Sequence, residues 1–152
     1  MPLPRPRRHQ PVVVTAADAK YPVHDLLARV RQHCLALPEV TEGLTHGAPT
    51  WFVRGKRSFA KFIDPDEHPR FDEVHVAFWA AAPFGAKQDL TSTEPDRFFV
   101  PPFGGSDWVG MRLDLEAGGP DWDDVHEIIT DAYRQVAPKT LLALLDKAAP
   151  GS

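Results

Sequence analysis

Cysteine is nearly absent from this 152-residue chain: Cys34 stands alone, which excludes an internal disulfide and any cysteine-rich metal site. It sits on an apolar helical stripe, so a packed thiol is expected there rather than a nucleophile. No apolar run approaches the roughly 20 residues a membrane span needs. The N-terminus has no apolar central stretch of the signal-peptide kind, so a cytoplasmic protein with no membrane partner is expected. Internal repeats are missing as well. Seven histidines with Asp64, Asp66, Glu67 and His68 invite a metal site, but none has the His-Glu-x-x-His or Cys-x-x-Cys spacing that ligation on one face requires, and no metal is expected. Gly104-Gly105 opens no helix and cradles no phosphate. No Ser, His and Asp order resembles a nucleophile elbow. No catalytic residue and no cofactor are therefore nominated, and the chain reads as a non-enzyme.

What is present suits one domain with one sizeable core, since 43% of the residues are hydrophobic. The net charge of −4 argues against nonspecific coating of nucleic acid. It hides an asymmetry. Residues 1–62 hold ten basic and four acidic side chains, a balance of +6, while residues 63–152 hold seven and seventeen, a balance of −10. A molecule with a positive and a negative end is implied.

Residues 1–14 carry Pro2, Pro4, Pro6 and Pro11 with Arg5, Arg7 and Arg8, which predicts an extended basic arm preceding a single domain over 15–149. Val23, Leu26, Leu27, Val30, Cys34 and Leu37 recur at helical spacing and predict a helix over 22–37 ended by Pro38. The runs 50–54 and 57–62 alternate on either side of Gly55-Lys56. A type II′ turn there would pair Arg54 with Arg57, Phe52 with Phe59 and Trp51 with Ala60. Trp51, Val53, Ala60 and Phe62 would then face the core, and Phe52, Arg54, Arg57, Phe59 and Lys61 the other side. Further strands are expected over 73–79, 98–103 and 108–115, the last with Trp108, Arg112 and Asp114 outward. A turn is expected over 64–69 and a short helix over 83–90. Asp121 caps a helix to Val136, and Pro138 starts the last one. The order predicts an α+β two-layer sandwich, α-β(3)-α-β(2)-α, with a five-stranded antiparallel sheet and helices mainly on one face.

Leu37-Pro38-Glu39-Val40-Thr41-Glu42, His46-Gly47-Ala48-Pro49-Thr50-Trp51-Phe52-Val53-Arg54-Gly55-Lys56 and Phe59-Ala60 resemble the signature of the MmcQ/YjbR-like family. Downstream, Trp108-Val109 to Leu113, Asp121-Trp122, and Asp131-Ala132-Tyr133-Arg134 to Pro138-Lys139 are similar to its closing strand and helix, with Ala132 where that family has serine. The resemblance implies the same topology, likened to a secretion-chaperone-like fold and to a double-winged DNA-binding arrangement. Carried over by position, the wings are 53–58, which is basic, and 101–107, which has no Lys or Arg.

Two kinds of site follow. Arg54, Lys56, Arg57 and Lys61 are candidates for phosphate contact, with Phe52 or Phe59 stacking on a base. His46, Trp51, Trp79 and Trp108 are candidates for a small-ligand pocket, against the commoner fate of such side chains as loop anchor and core. The expected function is a small binding module contacting DNA through the basic hairpin. The alternatives are a protein-interaction, chaperone-like or self-associating domain, or a small-ligand binder.

Overall fold

The computed structural model describes residues 23–68, 74–102, 107–116 and 118–148, so the expected arm over 1–14 lies outside them. The elements are α1 (Val23–Leu35), β1 (Val40–Thr45), β2 (Ala48–Val53), β3 (Arg57–Ile63), β4 (Ala77–Ala81), α2 (Ala86–Thr93), β5 (Phe98–Phe99), β6 (Trp108–Arg112), α3 (Trp122–Val136) and α4 (Lys139–Ala148). All strand pairs are antiparallel, in the order β1-β2-β3-β4-β6-β5. The sheet thus has six strands where five were expected. The addition is β1, which carries no clean apolar alternation and becomes a strand by pairing with β2 from Val40↔Val53 to Thr45↔Ala48.

Both hairpins close through the left-handed backbone that type I′ turns demand. His46 (φ 53°) and Gly47 (φ 84°) join β1 to β2, and Arg54 (φ 55°) and Gly55 (φ 68°) join β2 to β3. The second turn is therefore centred one residue earlier than a glycine-first type II′ turn would place it. Lys56 N–H donates to Val53 C=O at 3.0 Å, and the ladder runs Val53↔Arg57, Phe52↔Ser58, then Trp51↔Ala60. Phe59 is left over as a bulge in β3. The bulge breaks the two-residue period, so Phe59 joins Ala60 and Phe62 in the main core. It meets the Tyr133 ring edge-on at 5.7 Å.

Helices supply the other half of that core. Leu26, Val30 and Cys34 line the buried side of α1; Val125, Ile129, Ala132 and Tyr133 line that of α3; Leu141 adds α4. Asp121 caps α3 by accepting the Asp123 N–H at 3.0 Å, and the Tyr133 hydroxyl donates to Pro38 C=O at 2.8 Å, fixing the chain where it leaves α1. Burial pushes the Cys34 thiol well above its usual value, consistent with a packed, unreactive group. The opposite side of the sheet carries a smaller cluster of Ala48, Ile63 and Trp79, with Phe99 and Trp108 against it.

Three strands are shorter than expected: β4 begins at Ala77, β5 holds only Phe98 and Phe99, and β6 ends at Arg112. In β6 Val109 and Met111 point inward as the alternation requires, followed by Leu113. Asp114 is buried, however. One of its oxygens accepts the Val76 N–H and the other meets His75 Nδ1, both at 2.8 Å, which repays its burial.

Gly110 lies under the Phe99 ring, where an added Cβ would sit 2.3–2.6 Å from ring carbons. Gly110→Ala is expected to lower unfolding free energy in urea by about 1–3 kcal/mol. Combining it with Phe99→Ala should make the two costs non-additive, because the second change removes the clash.

Candidate interaction surfaces

β2, β3 and the turn between them carry the six candidate nucleic-acid residues, and they do not converge. At the hairpin tip Arg54, Lys56 and Arg57 are exposed. Arg54 is taken up by Glu39: its Nε donates to Oε1 at 2.9 Å, and its backbone N–H donates to Glu39 C=O at 2.9 Å. Lys56 and Arg57 have no acidic partner among the described residues. Lys61 is 9% exposed, its ammonium 5.4 Å from the centre of the Trp79 ring, so burial removes it from a phosphate-binding surface. Phe52 is half-buried, close above Gly43, and Phe59 is wholly in the core. The expected wet face holding both phenylalanines and Lys61 is corrected by the bulge for Phe59 and by packing for Lys61.

The four residues considered for a pocket do not share one. Trp51 is fully buried on the helix side of the sheet and Trp79 fully buried on the other side. Trp108 is half-buried, and His46 is exposed in the first hairpin turn. Parity decides this: Trp51 pairs with Ala60 and Trp79 with Lys61, and successive residues of β3 face opposite ways. Among the described residues no group of three or more His, Cys, Asp or Glu is placed to hold a metal ion, and no described helix is long and apolar enough to cross a membrane. Of the second expected wing, 103–106 lie outside the described residues.

Three side-chain groupings were not anticipated. Glu42, on β1, accepts Arg31 through both oxygens (Nε 2.7 Å, Nη2 2.9 Å) and also the buried Trp51 indole N–H at 2.9 Å. Those hydrogen bonds, the Arg31 pair foremost, hold the Glu42 carboxyl below its usual range. His75 and Asp114 form the second grouping. The third joins α1 to α3: His33 stacks on Trp122 at 6.0 Å, Arg29 lies 4.5 Å over the same indole, and His33 Nδ1 is 3.3 Å from His126 Nδ1. Burial first, then the charges of His126 and Arg29, lower the His33 pKa. The i, i+4 spacing of Arg29 and His33 was visible in the sequence; that this face meets Trp122 was not.

The edge of the sheet completes the geometry. Arg54 N–H donates to Glu39 C=O, and β1 alternates from there, so Thr41, Gly43 and Thr45 bond toward β2 while Val40, Glu42 and Leu44 turn their backbone N–H and C=O outward. No described strand pairs with that side. Leu44 is 70% exposed beside it.

With this arrangement in view, the YjbR family model matches residues 35–135, about two-thirds of the chain. The chain belongs to the YjbR family. No curated protein matches it in sequence. This YjbR chain is similar in structure to a Deinococcus radiodurans protein, DR2400, whose crystal structure carries a DUF419 domain. The TM-score is 0.57 at 17% identity, over 85% of this chain and 92% of that one. At that identity the likeness establishes the α+β fold alone.

The lowered His33 pKa makes the α1–α3 contact of this YjbR domain pH-dependent. The fold favours the neutral ring, so stability is complete above the ordinary value of 6.5 and falls as pH drops below it toward the folded-state value. The Glu42 contribution is lost only lower, below about 4.5. Urea titrations from pH 7.5 to 5 should show wild type losing more stability than His33→Gln. Parallel losses would contradict this linkage.

Proposed function

We propose that this YjbR chain is a non-catalytic, cytoplasmic binding module whose partner is an extended polypeptide segment added as a strand to β1. One observation carries it: the outward backbone groups of Val40, Glu42 and Leu44, an unpaired edge among the described residues. Exposed edges are commonly blunted by lysine, proline or a short strand. β1 is six residues long and holds neither lysine nor proline, whereas β5, at the far edge, is only two residues long. Main-chain bonds supply the affinity in such a mode, and Leu44 supplies an apolar contact for one side chain of the incoming strand.

A second reading, contact with a polyanion such as DNA at the hairpin tip, is favoured by Lys56 and Arg57, exposed and without an acidic partner among the described residues. Two phosphate contacts give a log–log salt slope of about −2, a weak grip that fades roughly tenfold between 50 and 200 mM salt. Arg54 bound to Glu39 and Lys61 buried on Trp79 weigh against a stronger one.

The experiment is a selection of extended peptides from a displayed library on the wild-type chain, followed by affinity measurement on Leu44→Pro and Gly43→Pro. Leu44→Pro removes an outward N–H and should weaken selected peptides at least about tenfold while leaving the ladder to β2 intact. Gly43→Pro removes an inward N–H and should chiefly lower stability. Peptides that bind Leu44→Pro as well as wild type would overturn the edge reading. A DNA titration with a steep slope, abolished by charge reversal at Lys56 and Arg57, would put the second reading in its place.

A further inference from the structure

Away from the β1 edge, a cavity of about 240 Å³ opens between α2, α3 and the β4–β6 end of the sheet. Its floor is apolar, made by Ala82, Leu90, Val109 and Ile128. Its rim is not: Asp89 from α2 and Glu127 and Asp131 from α3 all border it. Among the described residues no basic side chain forms an ion pair with any of these three, although Arg97 and Arg134 nearby in sequence are each paired to other carboxylates. Glu127 and Asp131 are spaced i, i+4 on one helix, a like-charge placement that mildly disfavours α3 and that a bound cation would relieve.

We infer that this groove binds a linear aliphatic polyamine. A hydrocarbon chain interrupted by ammonium groups matches both parts of the site. Its methylenes lie on the alanine, leucine, valine and isoleucine floor as a lysine stem lies on apolar surface. Its ammonium ends reach the carboxylates, three negative charges that the folded chain leaves without a partner among its described residues. A volume of about 240 Å³, open on one side to solvent, leaves room for a short flexible chain. A bare divalent cation would meet the rim but leave the apolar floor unused, and a neutral alkane diol would meet the floor but leave the charges unmet.

The test uses the full chain at low ionic strength, titrated with spermidine by calorimetry and by amide chemical shifts. One saturable equivalent is expected, with shifts centred on Leu90, Val109 and Ile128. Asp131→Asn and Glu127→Gln, both shape-conserving surface changes, should each weaken binding roughly twofold to fivefold. The double variant should lose more than either, and 1,8-octanediol and Mg²⁺ at matched concentration should not displace spermidine. Unsaturable binding spread over all acidic surfaces, competition by Mg²⁺, or variants that bind as wild type would overturn the assignment. So would a lysine-rich peptide that occupies the groove more tightly than spermidine. Because none of these residues lies on β1, a failed edge experiment leaves the groove result standing, and the reverse holds.

Discussion

The indole N–H of Trp51 is the constraint on which the rest of the architecture depends. It belongs to a fully buried side chain in the central part of the core, where an unpaired donor would cost on the order of 1–3 kcal/mol. Its acceptor is Glu42, and Glu42 can be near the core only because Arg31 binds both of its oxygens. Three elements are joined through this one carboxylate: α1 through Arg31, β1 through Glu42 itself and β2 through Trp51. β1 has little apolar side-chain surface to hold it, so this knot and the ladder to β2 are what keep an edge strand in place while its outer backbone stays open.

The charge asymmetry of the chain is spent differently from what a count suggests. In the basic half, Arg31 and Arg54 are tied to Glu42 and Glu39, Arg29 lies on Trp122 and Lys61 on Trp79. In the acidic half, Arg97 joins Glu94 to Asp124 and Arg134 pairs with Asp146, which leaves Asp89, Glu127 and Asp131 without cations among the described residues. Among the described residues, four of the six cations of the basic half are thus occupied, Lys56 and Arg57 excepted, whereas the three carboxylates at the groove are not.

Much of this architecture is written in local patterns: the stripe of α1, the Asp121 cap of α3, the inward Val109 and Met111 of β6 and the pairing of Trp51 with Ala60. What local patterns omit has a physical reason in each case. β1 is a strand because β2 lies beside it, and its own side chains do not alternate. The bulge at Phe59 shifts parity by one residue, which no period-two pattern can announce, and it converts a presumed stacking residue into core. The sequence places four tryptophans in strands and a helix, but only the register assigns Trp51 and Trp79 to opposite sides of the sheet. Ionic partners distant in sequence, Arg31 with Glu42 and His75 with Asp114, emerge only once the chain is folded.

The openness of the β1 edge is the claim from which the functional account follows, and residue-resolved amide hydrogen exchange on the full chain measures it directly. Rapid exchange is expected at Val40, Glu42 and Leu44 and slow exchange at Thr41, Gly43 and Thr45, an alternation along a single strand. Uniform protection from Val40 to Thr45 would contradict it, because the outer backbone groups would then already be bonded.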